Sequence, residues 1–238
     1  MGSFTGVSKR LRLMSVVGRM QSDSGKAVVL FGAGPFAALA WYVLSHDSDR
    51  SVAGFTVDRA YLGESQHCGL PVQAFEELEA RFPPDQVEVL LSLGPLAGNR
   101  LRQERYAGLK ARGYGFATYV SSRALTWPDL RVGEGSMIYE GTVVQPFARI
   151  GANSIVRSSV HVSHHVQIGD HAFIGAGACF GGLAQVGDRC FVGLNATIRD
   201  GVRLAEGCLI GAGAVVVKDT RPNGVYVGSP ARRIREAD

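Results

Sequence analysis

The sequence is short of the features that mark several large classes of protein. Its 238 residues include four cysteines (Cys68, Cys179, Cys190 and Cys208) with no CxxC pair among them. That argues against a disulfide-built secreted module and makes reduced thiols in the cytoplasm the expectation. No apolar run approaches the roughly 18 residues that a membrane-spanning helix requires. Lysine and arginine number 25 against 21 acidic residues, a formal charge of +4, and no lysine-rich block concentrates them. Neither nucleic acid nor a membrane is therefore an expected partner. Proline, at nine residues, is not raised.

Glycine is what the chain has in excess: 31 residues, nearly twice the usual share of about 7%, yet with no Gly-X-Y period, so collagen and low-complexity disorder are excluded. The glycines must serve turns. The opening MGSFTGVSKRLRLMSVVGRMQSDSGK lacks the continuous apolar stretch and cleavage site of a secretory signal. Residues 1–25 are expected to be a flexible arm, with Met14 and Met20 as alternative starts.

The second half repeats with a period of six. Stepping from Val132 through Ile138, Val144 and Ile150 to Val216, fourteen of fifteen positions are aliphatic, the exception being Phe180. Four residues further into each hexad stand small side chains, among them Ser136, Ala148, Ser154, Ala172, Ala184, Cys190, Ala196, Cys208 and Ala214. Each hexad reads as a short strand and a turn, with glycine often following the aliphatic residue where the backbone must bend. Three hexads close an 18-residue coil, and stacked coils bury the aliphatics in one continuous core. About 90 residues make five coils. Cys190 and Cys208, 18 residues apart at the small inward position, are expected to be stacked, inert thiols.

Residues 26–125 follow a different pattern. AVVLFGAGPFAALAWYVLSH reads as strand, glycine turn and helix; SVAGFTVD as a strand ending in Asp58; FEELEARF as a helix; VEVLLSLG as a strand; NRLRQERYAGLKARG as a helix; and FATYV as the closing strand. Such alternation predicts a small doubly wound α/β domain. Gly32, Gly34 and Ala37 make a G-x-G-x-x-A turn, with Asp58 lying 24 residues beyond Gly34. Glycines there admit a phosphate to a helix N-terminus, and the carboxylate is placed to accept ribose hydroxyls. About 100 residues is little more than half of a dinucleotide fold, so a single nucleotide fits better.

The hexad register, the ending VVVKDTRPNGVYVGSPARRI and the preceding α/β domain together resemble the hexapeptide-repeat nucleotide-sugar N-acetyltransferases, the bacillosamine and perosamine enzymes, which are related to sialic acid O-acetyltransferases. The resemblance implies a Rossmann-like α/β domain (26–125), a left-handed parallel β-helix (126–221) and a C-terminal tail (222–238). It also implies a homotrimer using acetyl-CoA or another acyl-CoA and no metal, and a UDP- or dTDP-linked amino sugar destined for bacterial surface glycans such as lipopolysaccharide. Gly32, Gly34 and Asp58 then fall at the nucleotide. His164, in VSHHVQIGD, falls at the catalytic base, with Ser163 and His165 in place of flanking carboxylates. A family asparagine falls on Arg157 and a second family histidine on Phe173, which makes both substrate-facing. Gly182, one coil above His164, is implied to leave room for the acyl sulfur, with Leu194, Asn195, Ala212 and Lys218 along the CoA path.

Four of the six histidines (His161, His164, His165 and His171) cluster within eleven residues, all at hexad positions that face outward. An imidazole is suited to collect the proton of an attacking amine near neutrality. Three alternatives stay open on the sequence: sugar O-acetylation, a zinc site built from the histidine cluster as in γ-class carbonic anhydrases, and a non-catalytic β-helix scaffold.

Overall fold

The structure, a computed structural model, describes residues 25–237. Its first domain is built on β1 (Ala27–Phe31), whose AVVLF sequence is almost wholly buried, as a strand covered on both faces of a parallel sheet must be. The chain continues through α1 (Pro35–Asp47), β2 (Val52–Val57), β3 (Gln66–His67), β4 (Leu70–Ala74), α2 (Leu78–Arg81), β5 (Val87–Leu91), α3 (Arg100–Ala111) and β6 (Gly115–Phe116). The sheet order is β3-β4-β2-β1-β5-β6. All pairs are parallel except the β3–β4 hairpin. Numbered along the chain, the parallel strands run 3-2-1-4-5, the order in which doubly wound sheets bind nucleotides where the order reverses. Here that point lies between β1 and β5.

Two assignments differ from the sequence reading. The third parallel strand is β4, whose LPVQA has no aliphatic run to announce it; it pairs with β2 near the sheet edge, where a proline is tolerated. The segment FATYV does not close the sheet as one strand: Gly115–Phe116 pairs with β5, whereas Tyr119–Val120 pairs with Met137–Ile138 of the next domain.

That domain is a three-sided parallel β-helix. Fifteen two-residue strands run from Arg131–Val132 to Val215–Val216, each paired with the strand 18 residues away. Ile138, Val156, Ile174, Val192 and Ile210 stack on face one. Val144, Val162, Phe180, Ile198 and Val216 stack on face two. Val132, Ile150, Ile168, Val186 and Leu204 stack on face three. These and the small residues of the hexads form one core, Phe180 included. The hexads and parallel pairing fit a left-handed β-helix. Face one is longer than the repeat: Tyr119–Val120 precedes it, and Gly224–Val227, from the segment expected as tail, pairs with Leu209–Ile210.

The glycines after the aliphatic residues answer to close approach between coils. A Cβ on Gly187 would lie 2.6 Å from the Glu206 nitrogen, and one on Gly175 would lie 2.7 Å from that of Leu194. Left-handed backbone occurs instead at the third turn position, where Phe147, His165 and Leu183 have φ of 65°, 61° and 64°.

Face one carries the α/β domain. Leu30, Ala37, Ala40 and Leu44 share a cluster with Met137, Tyr139 and Ile155. Arg102 of α3 is fully buried and donates to the Asn153 carbonyl and to Asn99 Oδ1 (3.3 Å); burial lowers its pKa to about 9. Asn153 Nδ2 donates to His171 Nδ1 (2.9 Å), so that nitrogen is unprotonated. No described helix is long and apolar enough to cross a membrane.

His171 provides a pH test of this junction. Burial is the main cause lowering its pKa; Arg102 and Arg189 add to the effect, while Asp170 and Asp188 oppose it. The unfolded chain protonates His171 near pH 6.5 and the folded chain only below that. The stability is therefore complete above about pH 6.5 and is lost as pH falls toward the lowered value. The loss is at most about 1.4 kcal/mol per pH unit for one proton. Thermal melting between pH 7.5 and 5 should fall more steeply for the wild type than for His171→Asn; parallel curves would show that His171 titrates alike in the folded and unfolded chain, with no contribution from burial.

Candidate active site

His164 stands at the corner between faces two and three, in a column with Pro146, Gly182, Asp200 and Lys218 at 18-residue spacing. Its backbone N–H donates to Gln145 Oε1 (2.9 Å) from the coil below. Its carbonyl accepts from Leu183 N (3.0 Å) in the coil above. The exposed imidazole lies against Gly182: a Cβ there would be 2.5 Å from His164 Cε1 and 2.7 Å from Nε2. The His164 imidazole thus lies in the space that a side chain at 182 would take. Gly182 is fixed in turn, donating its N–H to Asp200 Oδ1 (2.7 Å).

His165 meets His164 in the place where the resemblance puts a flanking carboxylate. Its Nδ1 is 3.2 Å from His164 Nδ1, a distance at which one nitrogen donates and the other accepts. With the hydrogen on His164 Nδ1, His165 accepts it and His164 Nε2 carries the free lone pair. His165 is held by Phe147, whose ring centroid is 4.7 Å away. An imidazole carries no fixed negative charge, so it holds its neighbour with less charge stabilisation than a carboxylate gives.

The other clustered histidines do different work. His161 Nε2 bonds Ser163 Oγ (3.1 Å) and stacks below Cys179 on face two. His171 does not meet solvent as its hexad position suggested, because the α/β domain covers it: Asn153 bonds it and the Tyr106 ring lies 5.3 Å away. Among the described residues no group of three or more His, Cys, Asp or Glu side chains is gathered to hold a metal ion. Cys190 and Cys208 are buried in the core. The hydrogen bond to Cys208, and then burial, raise the Cys190 thiol.

At the switch point of the sheet, Gly32 has φ of 121°, and a Cβ would approach the Ser92 carbonyl to 3.0 Å, so the strand-to-helix turn needs glycine for both reasons. Gly34 is different: it caps α1, is exposed, and a Cβ would meet nothing within 4 Å. Its open backbone lies at the positive end of a 13-residue helix. Asp58 follows β2 and is paired with Arg105 of α3 at 2.9 Å. Beside the turn, Ala33, Tyr61, Gly63, Glu64, Gln66, His67 and Val72 line a cavity of about 200 Å³, into whose wall His67 brings a buried Nε2 without a hydrogen bond. No motif in the sequence marks this hairpin cavity.

Arg157 and Phe173 meet at the domain junction. The Arg157 guanidinium lies 5.0 Å from the Phe36 ring centroid and 4.5 Å from that of Tyr139. Phe36 is 6.2 Å from Phe173, which stacks on Phe191 at 5.8 Å. Arg157 thus occupies the corner between faces one and two, beside the start of α1, while His164 occupies the next corner of the same coil. Leu194, Asn195 and Ala212 stand on the Arg157 corner, and Gly182 and Lys218 on the His164 corner. Within one chain the expected thioester-carrier residues are therefore split across face two.

The model of the bacterial transferase hexapeptide (six repeats) matches residues 147–182, and the hexapeptide repeat of succinyl-transferase matches residues 184–218. No curated protein matches the chain in sequence. Among solved structures, a histidine mutant of the GDP-perosamine N-acetyltransferase of Caulobacter crescentus, with CoA and GDP-perosamine, is 24% identical; the match covers 88% of this chain and 97% of that one with a TM-score of 0.81. The acetyltransferase domain of PglB from Neisseria gonorrhoeae is 22% identical over 88% of this chain and all of its own, with a TM-score of 0.79. The same domain with acetyl coenzyme A scores 0.78 at 21% identity, covering 88% and 99% of the two chains. Residues 147–218 thus carry hexapeptide repeats, and the chain as a whole shares the fold of these acetyltransferase structures.

Proposed function

We propose that the protein is an acyl-CoA-dependent N-acyltransferase whose acceptor is the amine of a nucleotide-linked amino sugar, with His164 as general base. The observation that carries this reading is the imidazole seated on Gly182, with Nδ1 facing His165 and Nε2 left for a substrate proton. The open Gly34 backbone at the start of α1 supports a phosphate there. CoA and GDP-perosamine in the Caulobacter structure, and acetyl-CoA in the Neisseria one, support the choice of co-substrates.

The sugar amine attacks the thioester carbonyl; a C–N bond forms, the C–S bond breaks, and CoA leaves as the thiol. The proton shed by the nitrogen passes to His164 Nε2 and on to the departing sulfur, so no covalent enzyme intermediate is required. Backbone N–H groups of the corner turns are suited to the oxyanion. Face two turns Val143, His161, Cys179, Thr197 and Val215 outward, half-buried and with no Asp, Glu, Lys or Arg among them. A homotrimer packed along this face would set the Arg157 corner of one copy against the His164 corner of the next, joining the divided residues.

The test is a panel of UDP-, dTDP- and GDP-linked 3- and 4-amino sugars with acetyl-CoA, following thiol release. Turnover with at least one is expected, and silence across the panel with folded protein would overturn the reading. For the active sugar, Asp58→Ala should raise KM by about tenfold with kcat little changed, as for lost uniform binding. An unchanged KM would remove Asp58 from the nucleotide site.

A further inference from the structure

Six arginines of the described residues are buried or half-buried. Arg50, Arg105, Arg112 and Arg189 each hold a carboxylate, and Arg102 donates to Asn99 Oδ1 and to backbone carbonyls of the β-helix. Of the six, Arg157 alone has neither a carboxylate nor a carbonyl oxygen on its guanidinium. Its Nη1 is buried without a hydrogen-bond partner, and Phe36 and Tyr139 flank the guanidinium. The adjacent acid on this corner, Glu140, is turned to the Ser158 hydroxyl (2.6 Å).

A guanidinium stays ionised at any working pH, and removing it from water without an anion is unfavourable. Aromatic neighbours recover part of that cost, and Tyr139 also hydrogen-bonds the guanidinium, but Nη1 stays without a partner. The guanidinium stands beside Phe36, the second residue of α1, whose first turn contains no acidic side chain. An open glycine cap, a helix N-terminus and an unpaired guanidinium thus lie together where the α/β domain meets the β-helix, with Phe173 as a neighbouring wall.

We propose that Arg157 is an acceptor-specificity residue that binds an oxyanion of the nucleotide-linked sugar. This rests on the function proposed above and adds the chemistry of recognition. The oxyanion has two sources, the diphosphate bridge lying at the start of α1 or a carboxylate on the sugar ring, and both suit a bidentate guanidinium. A neutral amide at this position would not supply that charge.

Calorimetric titration separates the sources without depending on turnover. The probes are UDP, dTDP and GDP, their nucleosides, and the pair UDP-glucuronate and UDP-glucose, bound to wild type, Arg157→Gln and Arg157→Lys. If the diphosphate is the partner, Arg157→Gln weakens the tightest-binding diphosphate by about tenfold or more and its nucleoside by less than about twofold. If a sugar carboxylate is the partner, diphosphate binding holds while the preference for the glucuronate over the glucose conjugate disappears. Arg157→Lys keeps the charge without the fork and should fall between; it stands in if the glutamine variant fails to fold. Wild type binding a nucleotide that neither variant weakens, with no change in preference, overturns the role of Arg157 alone. Wild type binding no nucleotide at all overturns the acceptor reading on which it rests.

Discussion

Replacing His164 by alanine is expected to lower kcat by about 100-fold or more, the usual scale for loss of a general base, with nucleotide binding unchanged. The side chain is exposed at a corner of the prism, and its hydrogen bond to another side chain is the one to His165. The bonds that hold the coil at this point, from Leu183 N to its carbonyl and from its N–H to Gln145, use its backbone. The variant should therefore melt with the wild type, and single-turnover acyl transfer should carry the whole loss. His165→Ala tests the orienting partner: it should cost less, because Nε2 of His164 survives but its ring is freer to turn. His165→Glu places an anion at the same nitrogen, which favours the protonated form of His164 and moves the acid limb of the pH–rate profile to higher pH. A folded His164→Ala protein with near-normal turnover would take the imidazole out of the chemistry.

The β-helix was legible because every inward position obeys one rule. Val132 to Val216 at steps of six required only that large aliphatic and small residues alternate, and Phe180 fits the same core as its aliphatic neighbours. The α/β domain was less so. The strand β4 has the sequence LPVQA and no hydrophobic run, and Tyr119–Val120 joins the β-helix through a register to Met137 that local pattern cannot encode. The site divides the same way. A glycine at 182 reads as room for a ligand, and only the neighbouring coil shows that the His164 ring also needs its missing Cβ. The outward position of His171 reads as solvent until α3 is laid across it. Nothing in the sequence announces the unpaired charge of Arg157, because that is a property of what the other buried arginines have found.

Gly182→Ala separates the two uses of that glycine. An added Cβ would stand 2.5 Å from His164 Cε1 and 2.7 Å from Nε2, closer than the atoms tolerate. The atoms in the way are the free end of an exposed side chain, so the ring swings aside and the coil stays intact. Stability should change little, while turnover falls by about tenfold to 100-fold, since a shift of about 1 Å in a reacting group is enough for losses of that size. The decisive comparison is with the double variant. If Gly182 serves to seat the imidazole, adding Gly182→Ala to His164→Ala costs nothing more, because the group being displaced is already gone. If instead Gly182 makes room for the acyl sulfur, the two losses multiply and KM for the acyl-CoA rises in both backgrounds. The seating role requires the first pattern, and multiplied losses would return Gly182 to the thioester.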